Sequence, residues 1–106
     1  MKIKVFMNSL KESYVLYVND KKRDCVLLNT QETTYDADRF IFKVCDMVSD
    51  WPKELKNDNI IDGLEYKIVI KDEKEEKTYN FKNKFPEDIY RLENLIEDVL
   101  GVVKNV

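Results

Sequence analysis

Leu64-Glu65-Tyr66-Lys67-Ile68-Val69-Ile70-Lys71 alternates along its whole length, with Leu64, Tyr66, Ile68 and Ile70 on one side and Glu65, Lys67, Val69 and Lys71 on the other. A period of two marks a β-strand with one face in a core and the other toward water. The charged stretch Asp72 to Glu76 then makes a turn, and Lys77–Lys82 offers Tyr79 and Phe81 to the same apolar side, so the two runs read as a hairpin. Beyond it the period lengthens. Pro86 suits a first helical position, and Glu87 and Asp88 complement the positive end of the helix dipole. Ile89, Leu92, Leu95, Ile96, Val99 and Leu100 form an apolar stripe, and Gly101 supplies the stop.

Toward the N-terminus, a helical stripe of Ala37, Phe40, Ile41, Val44, Met47, Val48 and Trp51 begins at Asp36. Thr33 followed by Asp36 resembles a capping box that would start this helix a few residues earlier, and Pro52 closes it at Trp51. Lys53–Asn59 is polar and reads as a loop. Lys2–Asn8 alternates with Ile3, Val5 and Met7 inward and Lys2, Lys4 and Phe6 outward, as a half-buried strand does. Tyr14–Val18 and Arg23–Leu28 are β-rich runs joined by the turn material Asn19-Asp20-Lys21-Lys22, a second hairpin. The expected fold is α+β. An antiparallel sheet of about five strands, two hairpins plus an N-terminal strand, carries two helices on one face in the order β-β-β-α-β-β-α. The chain, 1–106, reads as one domain, because 106 residues leave no room for a second core.

Composition excludes more than it assigns. Of the residues 43% are hydrophobic and 37% charged, enough for a core under a highly charged surface. Two Gly and two Pro leave no glycine-rich loop to cradle a phosphate. No histidine occurs, which removes the commonest general base, every Ser-His or Cys-His pair and most zinc sites. Cys25 and Cys45 have no metal-ligand spacing and read as free thiols, and no carboxylate run matches a calcium loop. The expectation is therefore no enzyme, no cofactor and no metal. The net charge of −3 argues against a surface built throughout for nucleic acid. No apolar run approaches a membrane span, and Met1–Val5 lacks signal-peptide character, so no membrane is implied and the chain reads as cytoplasmic.

The segment Ile60-Ile61-Asp62-Gly63-Leu64-Glu65-Tyr66-Lys67-Ile68-Val69-Ile70, followed by Asn83-Lys84-Phe85-Pro86-Glu87-Asp88-Ile89, resembles a small α+β domain family of low-GC Gram-positive bacteria and their mobile elements. Asp50-Trp51 at the end of helix one fits as well, and the likeness covers roughly the C-terminal two thirds. Tyr66 stands where such sequences more often carry Trp, and Phe81 where they often carry Gly. The resemblance implies a fold and no activity.

Two surfaces stand out as candidates. Strand parity sends Lys4, Phe6, Lys67, Val69 and Lys71, with Tyr17, away from the helices. Lysines among aromatics can grip single-stranded nucleic acid, and they can equally solvate a face and discourage strand pairing. Phe42 falls opposite the apolar stripe of helix one, where with neighbouring Tyr35 it could anchor a protein interface. The acidic residues on the helices, among them Asp36, Asp38, Asp46 and Asp50, read mainly as solvated faces, with mimicry of a phosphate backbone as the sharper alternative. Lys21-Lys22-Arg23 reads as turn solvation. The function expected is a non-enzymatic protein-binding module with a protein partner or a homodimeric mate, its surface drawn from Phe42, Tyr35, Asp46, Phe6, Lys4, Lys67 and Lys71. A phage or mobile-element inhibitor of a host enzyme, anti-CRISPR-like in style, is an extension of that reading. The alternatives are a nucleic-acid-binding domain on the outer sheet face and a homo-oligomeric structural protein.

Overall fold

A computed structural model of the chain describes residues 1–59 and 63–102. In chain order the elements are β1 (Lys2–Asn8), β2 (Ser13–Asn19), β3 (Cys25–Leu28), β4 (Gln31–Asp36), α1 (Ala37–Val48), β5 (Glu54–Lys56), β6 (Glu65–Lys71), β7 (Glu76–Lys82) and α2 (Tyr90–Leu100). The seven strands form one sheet in the order β4-β3-β2-β1-β6-β7-β5. β1 lies near the middle, antiparallel to β2 on one side and β6 on the other, and each pairing runs from Lys2 to Asn8 without a register shift. Ile3 therefore lies between Val18 and Ile70, and Val5 between Leu16 and Ile68. These six aliphatics, with Leu92, Val99 and Phe40, are almost wholly shielded from water within one core cluster that both helices share.

The α+β class holds, and the strand count does not. Two strands were not expected. Gln31–Asp36 is β4 rather than the approach to a helix, because Thr33 is not a cap. Thr33 is completely buried, its Oγ1 donates to the Val26 carbonyl oxygen at 2.7 Å, and the Tyr35 amide donates to Oγ1 at 3.2 Å. The β3–β4 register shifts between Cys25 and Leu27, so the threonine hydroxyl serves the carbonyl at a bulge. The residue that caps α1 is Asp36, whose Oδ2 accepts from the Arg39 amide at 2.8 Å. Glu54–Lys56, inside the expected loop, is β5, and it runs parallel to β7, so the sheet is only mostly antiparallel. Three residues with one apolar side chain, Leu55, are too short a run for alternation to be read. Backbone pairing makes this strand, and half-buried Leu55 attaches it to the core.

The helices are shorter than their stripes. α1 ends at Val48, and Trp51 follows in a turn in which its amide donates to the Val48 carbonyl. α2 starts at Tyr90 rather than Pro86, since Pro86–Ile89 makes turns instead of α-helix. Gly101 does close α2, its amide donating to the Glu97 carbonyl at 2.9 Å. The last inward positions of the two stripes, Trp51 and Leu100, thus lie outside or at the end of their helices, with Trp51 buried and Leu100 exposed.

Replacing Thr33 by the near-isosteric Val keeps the shape and removes both hydroxyl hydrogen bonds, leaving the Val26 carbonyl buried and unpaired. A loss of about 1–3 kcal/mol in urea-unfolding free energy is expected, with the m-value unchanged.

Candidate functional site

One face of the sheet is consumed by the core, and among the described residues the other carries no helix. On that open face the residues at the centre come from β2, β1 and β6: Val15 and Tyr17 lie opposite Phe6 and Lys4, which in turn lie opposite Lys67 and Val69. The order follows from alternation alone. Since Ile3, Val5 and Met7 are inward, Lys2, Lys4 and Phe6 must be outward. Val15, Tyr17, Phe6 and Val69 are half-buried, and the lysines are exposed.

The ammonium groups are held over rings. Lys4 Nζ lies 5.6 Å from the Tyr17 ring centroid and Lys67 Nζ lies 5.9 Å from that of Phe6. Each contact is worth roughly 0.5–1 kcal/mol at an exposed site and fixes where the charge stands. Among the described residues none of Lys2, Lys4, Lys67 and Lys71 forms an ion pair, whereas Lys21 takes Glu73, Arg23 takes Glu32 and Arg91 takes Asp46. Shallow hollows run across the face. One of about 510 Å³ is lined by Lys4, Phe6, Val15, Tyr17, Asn29 and Thr30. A neighbour of about 410 Å³ adds Tyr14, Glu65 and Lys67. Lys2, Val15 and Asn29 belong to this surface and were not singled out from the sequence. Lys2 shares the parity of Lys4, a signal that was there to use. Asn29 is brought in by the tight β3–β4 turn, where it has a positive φ of 56° and its Oδ1 accepts from the Val15 amide.

The helix-side candidates divide. Phe42 is 73% exposed and lines a groove of about 370 Å³ with Asp46, Arg91, Asn94 and Asp98. Tyr35 does not stand beside it. It sits on β4 at 7% exposure, edge-on to Phe40, so the expectation that it shares an interface with Phe42 is corrected by the extra strand, whose pleat turns it into the core. Asp46 accepts from Arg91 at 2.7 Å, and Asp36 is used as a cap. Part of the acidic helix surface is thus committed to holding the fold. The Lys21-Lys22-Arg23 run sits in the β2–β3 turn, where Lys21 and Arg23 face carboxylates.

Asn83, Gly63, Trp51 and Asp88, quoted above as motif residues, make structural locks. The Asn83 amide donates to the Leu64 carbonyl and its Oδ1 accepts from the Leu64 amide, both at 3.0 Å, with Asn83 at a φ of 58°. Gly63 presses against that carboxamide so closely that a Cβ would lie 1.5 Å from Oδ1. Trp51 Nε1 donates to Asp88 Oδ1 at 2.7 Å, tying the end of the α1 segment to the opening of α2. Ile60, Ile61 and Asp62 lie outside the described residues. The Trp51 indole, with the Arg91 guanidinium behind it, holds the Asp88 carboxyl below the usual carboxylate range. Burial, reinforced by Glu93, pushes the Tyr66 phenol up to about 12, which keeps it neutral and a poor base.

Among the described residues no group of three or more Cys, Asp and Glu gathers to hold a metal ion, and no helix is long and apolar enough to cross a membrane. Compared with protein families, curated proteins and solved structures, the chain matches none.

Gly63→Ala is expected to displace the Asn83 carboxamide and cost about 1–3 kcal/mol of stability, with Asn83→Gly in the same chain recovering part of the loss by removing the clash. Asp88 contributes stability that is present above the ordinary carboxylate pKa and lost as pH falls through its depressed folded value. Asp88→Asn keeps an acceptor for the indole but cannot titrate, so its unfolding free energy should fall less steeply than that of the wild type between about pH 5 and pH 2.

Proposed function

We propose that the protein is a non-enzymatic protein-binding module whose working surface is the open sheet face, and that its partner presents negative charge there. The observation that carries this reading is the set Lys2, Lys4, Lys67 and Lys71, none ion-paired among the described residues, placed around the half-buried Phe6, Val15, Tyr17 and Val69 of an acidic chain. Aromatic and aliphatic groups at the centre supply area to desolvate, and flanking charge supplies selectivity and a faster encounter. Homodimerisation by strand pairing is less well supported. On the β4 edge the Thr34 amide is already donated to the Val102 carbonyl, and the other edge strand, β5, is only three residues long. Inhibition of an enzyme by covering an acidic surface is a form this module would take.

Single-stranded nucleic acid is the second reading, favoured by the same interleaving of lysines and rings. Protein is preferred because the Tyr17 and Phe6 rings already have lysines over them, and a stacking base would have to displace those cations. Phe42 offers a separate contact, exposed in the helix groove.

Lys4→Glu combined with Lys67→Glu should leave circular dichroism and thermal unfolding close to wild type while abolishing capture of the partner from nuclease-treated lysate. Phe42→Ala should leave capture intact. Capture that survives the double reversal and is lost in Phe42→Ala would move the binding surface to the helices. Retention of a nucleic acid in place of a protein, with steep salt dependence, would replace the reading with the second one.

A further inference from the structure

At the end of the open face where β1 begins, three lysines meet over one hollow. Lys2, Lys4, Tyr17, Val69, Lys71 and Glu76 line a depression of about 270 Å³. Lys2 of β1 and Lys71 of β6 are direct cross-strand partners, and Lys4, two residues along β1, has its ammonium over the Tyr17 ring at 5.6 Å. Like charges placed directly opposite each other oppose strand pairing, and Lys2 and Lys71 are such a pair. Glu76 lies opposite Lys71 on β7 but makes no ion pair with it. Three ammonium groups and one carboxylate leave the hollow with two uncompensated positive charges. Its polar wall includes a donor as well. Tyr17 lines the hollow, and its hydroxyl oxygen accepts from Asn19 Nδ2 at 3.4 Å, which leaves the phenolic O–H free to rotate toward an anion.

We propose that this hollow binds a phosphoryl dianion, either free phosphate or a phosphorylated residue of the protein partner. The inference rests on the open-face reading and deepens it by naming the group that the face recognises. A dianion balances the two excess charges, and its several oxygens can accept from Lys2, Lys71, Lys4 and the Tyr17 hydroxyl together. A single carboxylate carries half that charge and offers two acceptor oxygens where a phosphoryl group offers three. Removing one lysine relieves the repulsion that the ligand would otherwise neutralise. The same substitution therefore weakens binding and stabilises the empty protein, opposite signs that a merely structural lysine would not show.

The test is a titration of the ¹⁵N-labelled protein at constant ionic strength with inorganic phosphate, a short phosphoserine peptide, the same peptide unphosphorylated, and oligothymidylate. The two phosphoryl ligands are expected to shift the amides of Lys2, Tyr17, Val69 and Lys71 saturably, and the unphosphorylated peptide is not. Tenfold or greater weakening is expected in Lys2→Gln/Lys71→Gln, whose melting temperature without ligand should rise, and a smaller weakening in Tyr17→Phe. A phosphopeptide that binds tighter than phosphate assigns the group to a protein partner, and equal affinities assign it to the free ion. Absence of saturable shifts, or equal affinity in the double variant, would overturn the proposal. Tighter binding of oligothymidylate, with shifts spreading to Phe6 and Lys67, would overturn the free or protein-borne source. Partner capture that depends on Lys4 and Lys67 would stand whether or not phosphate binds, so the two readings fail separately.

Discussion

Everything in this protein is arranged about β1, a strand held along its full length on both sides. Its pairing with β2 joins it to the N-terminal strands, and its pairing with β6 joins it to the C-terminal hairpin, so among the described residues the two parts of the sheet are joined through these seven residues. The pleat then settles the rest. Ile3, Val5 and Met7 enter the core beneath the helices, and Lys2, Lys4 and Phe6 must appear on the opposite side between the outward residues of β2 and β6. A one-residue slip would exchange the two sets, burying lysines and exposing the centre of the core. Core and candidate binding face are thus specified by one register.

Around that strand, polar groups are settled one by one. The bulge in β3 is served by a buried threonine hydroxyl, α1 is capped by Asp36, and the openings of β6 and α2 are held by the Asn83 carboxamide and the Trp51 indole. Each replaces hydration that folding removes, and leaving such a group unpaired costs more than the bond itself contributes. Arg91 extends this pattern to the helix surface, spanning Asp88 and Asp46. Carboxylates that looked free to mimic a polyanion in sequence are, at Asp36 and Asp46, parts of these attachments.

What could be read in advance was what periodicity governs. β1, β6, β7 and the apolar stripes of both helices follow from spacings of two and of three to four, and the outward positions of Lys4, Phe6, Lys67, Val69 and Lys71 follow from parity. Gln31–Asp36 escaped because Thr33 and Asp36 also satisfy a helix-start pattern, and local chemistry cannot decide between a cap and a bulge partner several residues away. Glu54–Lys56 escaped because its parallel partner on β7 is distant in sequence and a single apolar residue, Leu55, sits in an otherwise charged stretch. Tyr35 was misplaced as a consequence of the missing strand. At the candidate face, the residues were legible singly, but their neighbours were not: which lysine stands over which ring depends on strand order, which alternation leaves undetermined.

The central position of β1 also bears on how the chain acquires its structure during synthesis. Its first neighbour, β2, is available almost at once, but its second, β6, lies far along the chain, where Asn8 waits for Glu65 and Lys2 for Lys71. Until that segment has left the ribosome, one side of β1 presents unpaired amides and carbonyls, and Ile3, Val5 and Met7 lack part of their cover. The outward lysines of β1 stand on that open edge during this interval. Charge of one sign along an unfinished edge keeps nascent chains from pairing with one another.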